Sequence, residues 1–168
     1  MPFSFLSLGS NIGYRMEYLT KTIRYLKQSC CEIVKVSSTY TTDPLEVADQ
    51  PYFTNCLIVI KTKLSPEDLL FLCKRIEKAI GRFQTFRYGP RVIDIDILSY
   101  NYCMDKNSME EIIGCSYKLD RPNLILPHPK IMERAFIKVL FDDVLGNPYM
   151  KLKGINRGEK IGHRTCRG

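Results

Sequence analysis

The sequence predicts a single α+β domain in which helices pack on a mainly antiparallel sheet. Two observations support this prediction. The chain has 168 residues and is 45% hydrophobic, which suits one compact domain with a sizeable core. Segments with the two-residue period of strands and segments with helical period follow one another in the order β-α-β-β-α-β. This order is typical of the ferredoxin-like arrangement.

The predicted elements begin and end at recognisable signals. Ser65 and Pro66 begin the second helix with a capping hydroxyl and a proline in the first turn, and Gly81 ends it. Ser10 or Asn11 is the expected cap of the first helix. The remaining elements are predicted to be strands at 3–8, 32–40, 52–62 and 92–100 and a first helix at 16–28.

Residues 1–150 are predicted to form the domain, and residues 151–168 a basic tail. Within the domain, an irregular insertion at about 101–120 could hold a short hairpin or helix near 107–113, and a last helix is expected near 130–141. The tail contains six Lys and Arg residues and one Glu, so it carries +5 of the net charge of +7. Basic termini are more often solvated than bound, so nucleic acid is not an expected partner.

Cysteine usage and hydropathy predict a cytoplasmic protein without a membrane partner. The seven cysteines are an odd number without framework spacing, which is typical of reduced thiols. No apolar run reaches the ~18 residues of a membrane span, and the N-terminus lacks the basic and small-residue features of a signal peptide. With two histidines and no CxxC, a Cys/His zinc site is not expected.

The stretch RYGPRVIDIDIL at 87–98 points to chemistry. Asp94 and Asp96 alternate with isoleucines, so both carboxylates lie on one face of a strand. A half-buried strand with a solvated face would also give this pattern. However, Mg²⁺ prefers one or two carboxylates with phosphate oxygens and water, and Arg82, Arg87 and Arg91 offer planar donors for phosphate. The sequence therefore predicts a nucleoside triphosphate site without a P-loop motif.

Four stretches resemble one protein family. RYGPRVIDIDIL is similar to the signature of hydroxymethyldihydropterin pyrophosphokinase, in which a basic residue precedes Gly-Pro-Arg and two aspartates flank one aliphatic residue. SLGSNIG at 7–13, DPLEVADQPYFTN at 43–55 and LPHPKIMERAF at 126–136 resemble the same family. The resemblance covers residues 3 to about 145. It implies a ferredoxin-like fold and transfer of pyrophosphate from ATP to 6-hydroxymethyl-7,8-dihydropterin, with release of AMP, in folate biosynthesis.

The resemblance also implies roles for individual residues. Asp94 and Asp96 would hold two Mg²⁺ ions with ATP, and Arg82 and Arg91 would stabilise charge on the transferred group. These four are the expected catalytic residues. The expected nucleotide contacts are Glu77, Arg82, Arg87, Arg91, His128 and Arg134, although Glu77 could instead be an exposed helix charge. The expected pterin contacts are Asp43, Leu45, Phe53, Asn55, Tyr88 and Phe136, with the two phenylalanines on either side of the ring and Asn55 at its edge.

Two alternatives belong to other functional classes. An RNA-binding module on this fold would be expected to carry an aromatic strand with flanking Lys and Arg, whereas the acidic strand at 92–100 would repel phosphates. A ferredoxin-like nucleotide-binding regulatory domain without catalysis would bind ATP and release no AMP. The expected partners are ATP and hydroxymethyldihydropterin, and the oligomeric state stays open.

Overall fold

The computed structural model describes residues 1–44, 50–83, 89–147 and 155–160. In chain order, the helices and strands are β1 Phe3–Ser10, α1 Arg15–Gln28, β2 Cys31–Val36, β3 Ser38–Thr42, β4 Phe53–Thr62, α2 Pro66–Ile80, β5 Asp94–Asn101, α3 Met109–Gly114, β6 Leu119–Arg121, β7 Leu124–Leu126, α4 Ala135–Leu145 and β8 Ile155–Lys160.

One antiparallel sheet organises the fold. Its strand order is β5–β1–β4–β3–β8, and β2 also pairs with β4. Every strand pair in the described residues is antiparallel. The strand predicted at 32–40 is interrupted at Ser37, whose N–H donates to the Leu57 carbonyl and whose hydroxyl accepts from the Leu57 N–H. Since β2 and β3 together occupy the place of one strand beside β4, the predicted βαββαβ order is confirmed.

The two faces of this sheet bury separate cores. Successive strand residues point to opposite faces, so Ile58 and Ile60 of β4 pack with helices α1 and α2, whereas Leu57 and Val59 pack with α4. On β5, Ile95 joins the first core. The second face is apolar only where α4 covers it, and the rest of this face carries the polar residues of the cleft described below.

The cap signals in the sequence predicted the ends of α2 correctly and the start of α1 wrongly. The Ser65 hydroxyl accepts from the Asp68 N–H, and Gly81 ends α2 in the left-handed region at φ 108°, as predicted. The prediction that Ser10 or Asn11 caps α1 is wrong, because α1 begins at Arg15 without a side-chain cap. The Asn11 side chain is engaged elsewhere, with Arg91 and with the segment at 50–51.

The insertion contains the short helix that the sequence allowed. The Ser108 hydroxyl caps α3 by accepting from the Glu111 N–H, and the β6–β7 hairpin follows it. The last long helix begins at Ala135 and not near residue 130, because residues 130–133 form turns that bring the chain to Arg134. Among the described residues, no helix has the length and apolarity needed to cross a membrane.

The description of 151–168 as a solvated tail is wrong for the part that the structure describes. Residues Ile155–Lys160 form β8, which pairs with β3 at the edge of the sheet. Ile155 is buried in the second core, and the Arg157 guanidinium donates to an Asp143 carboxylate oxygen at 2.9 Å. The sequence did not predict this strand, because its residues are mostly polar or charged and one buried isoleucine gives no alternation of apolar and polar residues.

Candidate active site

Three neighbouring strands place the polar groups of the site in one row. Gly9 of β1 lies opposite Asn55 of β4 on one side and Asp94 of β5 on the other, and Ser7 lies opposite Asp96. A Cβ on Gly9 would lie 2.9 Å from the Asn55 Oδ1, closer than side chains tolerate. Glycine at this position therefore leaves room for the Asn55 amide to lie across the middle strand.

This row forms the floor of a cleft with an empty volume of about 800 Å³ that opens to solvent. The walls come from the segments before β4 and β5 and from the start of α4. The lining residues are Ser7, Gly9, Thr42, Asp43, Pro44, Gln50, Phe53, Asn55, Gly89, Arg91, Asp94, Asp96, Arg134 and Phe136.

The residues at the β5 side form what we call the charged half of the cleft: Glu77, Arg82, Arg91, Asp94 and Asp96. The two Asp94 carboxylate oxygens accept separately, from Arg82 Nη1 at 2.8 Å and from Arg91 Nη1 at 2.5 Å. Arg82 reaches this position because it directly follows Gly81, where the left-handed backbone turns the chain away from the helix axis. The structure thus brings three predicted catalytic residues into direct contact.

Glu77 lies beneath this cluster and is not an exposed helix charge, so that alternative is wrong. Its side chain is only 3% exposed, and one carboxylate oxygen accepts from the Ile95 N–H at 2.8 Å and pairs with Arg82 Nη1 at 2.5 Å. A buried carboxylate requires such partners. Glu77 therefore ties α2 to the strand that carries both aspartates, and its contacts are with protein groups.

Asp96 differs from Asp94 because, in the part of the chain that the structure describes, no guanidinium donates a hydrogen bond to it. Arg134 Nη1 lies 3.6 Å from the nearer Asp96 oxygen, beyond hydrogen-bond distance. Removal from water between the cleft walls, together with the neighbouring Asp94 charge, raises the pKa of Asp96 to about 6. Arg134 opposes this rise without cancelling it. A cation placed between the two aspartates would oppose this rise by favouring the ionised form of Asp96.

His128 lies near the charged half without lining the cleft. The His128 Nδ1 accepts from the Lys130 N–H at 3.2 Å, and the His128 backbone N–H donates to the Leu98 carbonyl. Burial, and secondarily the nearby Arg134 cation, lower the pKa of His128. The imidazole is therefore neutral near pH 7 in this structure. Its predicted contact with nucleotide phosphates stays a prediction.

Uncharged side chains line most of the opposite side of the cleft, and we call Thr42, Phe53, Asn55 and Phe136 the neutral half. The Asn55 amide donates to the Thr42 hydroxyl at 2.8 Å and is 5% exposed. Phe53 and Phe136 both line the cleft, the first half-buried and the second buried. A cleft lined by two aromatic rings and an amide suits a flat heterocycle with donors and acceptors on its edge.

Other predicted pterin and nucleotide contacts have different outcomes. Asp43 lines the cleft beside the neutral half and is exposed. Leu45, Arg87 and Tyr88 lie outside the described residues. Among the described residues, no group of three or more His, Cys, Asp or Glu side chains could hold a metal, so a metal site here would depend on a pair of carboxylates and on ligand oxygens.

Comparison with known proteins assigns the chain to a family. The model of the family 7,8-dihydro-6-hydroxymethylpterin-pyrophosphokinase (HPPK) matches residues 5–145. The chain belongs to this family. A relative from Bacillus subtilis (strain 168), named 2-amino-4-hydroxy-6-hydroxymethyldihydropteridine pyrophosphokinase, is 38% identical over 135 residues, which are 80% of this chain and 72% of the relative. The family resemblance seen in the sequence is confirmed.

Some HPPK relatives are much longer proteins. An Arabidopsis thaliana relative named folate synthesis bifunctional protein is 38% identical over 142 residues, which are 84% of this chain and 26% of the relative. This chain thus spans about a quarter of that relative's length. A crystal structure of Plasmodium falciparum HPPK-DHPS wild type matches with a TM-score of 0.56 at 19% identity, over 96% of this chain and 42% of that chain. This likeness confirms the fold.

Sequence reasoning missed several residues that the structure places at or near the site. The Lys74 Nζ bonds both Glu77 oxygens, at 3.0 and 3.2 Å, and the i, i+3 spacing on a helix could have indicated this pair. Gly9 could have been identified from the rule that glycine within a strand marks a close approach. Asn11 and Gln50 gave no such signal, because their partners lie far away in the sequence.

Proposed function

We propose that this chain transfers the terminal pyrophosphoryl group of ATP to the hydroxymethyl oxygen of 6-hydroxymethyl-7,8-dihydropterin and releases AMP. One observation carries the proposal: a single cleft holds two aspartates with arginines on one side and is lined on the other by an amide and two phenylalanines. The first set suits a triphosphate and the second suits a pterin ring. Membership in the HPPK family supports the same reaction.

The reaction requires one bond to form and one to break. The hydroxymethyl oxygen bonds the β-phosphorus of ATP, the bond from this phosphorus to the α–β bridging oxygen breaks, and AMP leaves with that oxygen. The hydroxyl proton is released to solvent. The protein contributes mainly position and charge, as in phosphoryl transfer generally.

Two Mg²⁺ ions with ATP are part of the proposal, and the donor set fits them. A pair of carboxylates on one strand face with open cleft above them matches the preference of Mg²⁺ for few carboxylates plus phosphate oxygens. The pKa of Asp96 is raised, first by burial and then by the Asp94 charge, so a cation bound here would favour its ionised form. Asp94 and Asp96 would hold the ions, which would supply positive charge against the triphosphate.

The arginines of the charged half have to change partners in this scheme. Arg82 and Arg91 bond Asp94 in the structure, whereas a bound triphosphate would present oxygens that accept the same guanidinium donors. Arg134, at the start of α4, lies between Asp96 and the neutral half and would contact phosphate oxygens. The neutral half would hold the pterin ring between Phe53 and Phe136, with Asn55 bonding its edge.

A coupled assay for AMP tests the proposal. With ATP, Mg²⁺ and 6-hydroxymethyl-7,8-dihydropterin, we expect one AMP for each pterin consumed, and no AMP when either the pterin or Mg²⁺ is left out. ATP binding without AMP release in the complete mixture would instead favour a non-catalytic nucleotide-binding domain. Mass spectrometry of the pterin product, which gains two phosphoryl groups in one step, excludes hydrolysis as the source of AMP.

A further inference from the structure

Asn11 connects the two sides of the cleft. The sequence had indicated it only as a possible cap of α1. It follows β1 directly and is 1% exposed. Its Oδ1 accepts from the Arg91 N–H at 2.7 Å, and its own N–H donates to the Arg91 carbonyl at 3.1 Å. Both backbone polar groups of Arg91 are therefore held by one residue.

The other end of the same amide reaches the opposite segment. Asn11 Nδ2 donates to Gln50 Oε1 at 3.2 Å and to the Pro51 carbonyl at 3.4 Å. Gln50 and Arg91 both line the cleft, and they belong to segments 39 and 80 residues away from Asn11. A buried asparagine with donors and acceptor satisfied by two distant segments fixes the separation between them.

We propose that Asn11 is a positioning residue that sets the Arg91 guanidinium against the reacting groups and ties it to the Gln50–Pro51 segment. The inference rests on the proposed function and deepens it. Arg91 Nη1 bonds Asp94 only 2.5 Å away, so a shift of the Arg91 backbone moves the guanidinium relative to both aspartates. A displacement of about 1 Å in such a group can cost 10²-fold in rate.

Single-turnover kinetics of Asn11→Ala measures this effect directly. We expect the rate of the chemical step to fall by about 10- to 100-fold, and the ATP dissociation constant to change by less than about threefold, since Asn11 is not among the residues that line the cleft. Asn101→Ala is the matched control. Asn101 is equally buried and donates to the Ile112 carbonyl at 2.8 Å, but it lies at the far end of β5. It should lower thermal stability and leave the rate unchanged.

A double-mutant cycle distinguishes positioning from general stability. If Asn11 acts through Arg91, then Asn11→Ala in an Arg91→Ala background should lower the rate by less than about threefold further, because coupled residues are not additive. Full additivity of the two losses would overturn the proposal. So would a native chemical rate in Asn11→Ala.

Asn11→Asp separates the two contacts. The aspartate keeps an acceptor for the Arg91 N–H but cannot donate to Gln50 and Pro51, so we expect a rate loss smaller than that of Asn11→Ala. A native rate would contradict a role for the donor bonds. A rate equal to that of Asn11→Ala would contradict a role for the acceptor bond.

Amide hydrogen exchange provides a readout that does not need activity. The Arg91 N–H is the donor to Asn11, so its exchange should become faster in Asn11→Ala and not in Asn101→Ala. Unchanged exchange would overturn the positioning role. If the native chain releases no AMP, the proposed function fails while this measurement still tests the contact. If the native chain is active and Asn11→Ala keeps the native rate, only the present inference fails.

Discussion

The charged and neutral halves of the cleft satisfy their polar groups in different ways. In the neutral half, the Asn55 amide is fixed by the Thr42 hydroxyl, and Phe136 is packed to 8% exposure. In the charged half, Asp94 is satisfied by Arg82 and Arg91, which are themselves groups that a phosphate ligand would bind. Under the proposed function, the neutral half would therefore be preorganised for the pterin, whereas the charged half would have to exchange its internal ion pairs.

This difference indicates where each half contributes to the proposed reaction. Contacts that are equally strong in the ground state and the transition state lower a dissociation constant without raising kcat. Donors aimed at the charge that develops in the transition state raise the rate itself. Substitutions in the charged half should therefore lower the rate of the chemical step, and substitutions in the neutral half should weaken pterin binding.

The largest effect is expected from the two aspartates. Asp94→Asn and Asp96→Asn should each lower turnover by at least about 10³-fold, because several kcal/mol of charge stabilisation by the metal would be lost. Steady-state AMP release at saturating ATP, Mg²⁺ and pterin measures the loss. Asp105→Asn is the matched control, since this aspartate is 71% exposed and pairs only with Lys106 among the described ion pairs. Near-native turnover of the Asp94 and Asp96 double variant would end the metal hypothesis.

The arginines should show the next largest effect, and in the rate more than in binding. Arg82→Ala and Arg91→Ala should lower kcat by roughly 10²-fold, the scale of one lost donor to the charge that develops in the transition state, with a much smaller change in ATP affinity. Lysine at either position should restore only part of the rate, because an ammonium cannot bond two oxygens in the planar geometry of a guanidinium.

Single-turnover rates and ATP dissociation constants for each arginine variant separate the two roles. Arg75→Ala is a suitable control, since Arg75 is exposed on α2 and lies over the Phe71 ring. A loss confined to ATP affinity, with the chemical step intact, would show that Arg82 and Arg91 only hold the nucleotide. The two halves of the cleft would then bind different ligands, and neither half would contribute more than the other to the chemical step.

Local patterns predicted the parts of this site that depend on one element. The two-residue period placed Asp94 and Asp96 on one face, and the cap signals gave the start and end of α2. Residues with distant partners were not predictable in this way. The burial of Glu77 depends on the Ile95 N–H, and β8 depends on β3, with Arg157 bonding Ser38 across 119 residues. The role of a polar residue is fixed by its partner, and the partner is a property of the fold.

Stability measurements sharpen the comparison between the two aspartates, because their substitutions should act in opposite directions. Like-charge repulsion alone would leave stability unchanged or raise it in both variants. The structure changes this expectation: Asp94→Asn weakens two ion pairs with Arg82 and Arg91 and should lower the unfolding free energy by about 1–2 kcal/mol. Asp96→Asn removes a poorly compensated charge and should raise the unfolding free energy by roughly 1–3 kcal/mol at pH 7.

The pH dependence checks the cause of the Asp96 effect. The pKa of Asp96 is about 6 in the folded chain and 3.8 is its ordinary value, so the folded state binds this proton more tightly. Native stability from this group is therefore present below pH 4 and lost as the pH rises through about 6. The gain in unfolding free energy caused by Asp96→Asn should disappear below about pH 4, because both states then bind the proton. Melting curves in a metal-free buffer measure this, and a pH-independent advantage would contradict the assignment.

The smallest effect belongs to the neutral half and tests whether it acts in binding alone. Phe136→Ala should weaken pterin binding by about 0.5–1.5 kcal/mol beyond the loss of buried area, the usual range for one aromatic stack. ATP affinity and the rate at saturating pterin should hardly change, because Phe136 contacts none of the charged groups that exchange partners.

Phe141→Ala on the same helix is the control. Phe141 is fully buried and stacks on Phe5, with 5.1 Å between the ring centroids. It should lower stability without a selective loss of pterin affinity. Calorimetry showing equal losses for ATP and pterin in Phe136→Ala would mean that this ring supports the core and that the neutral half is not a separate binding surface.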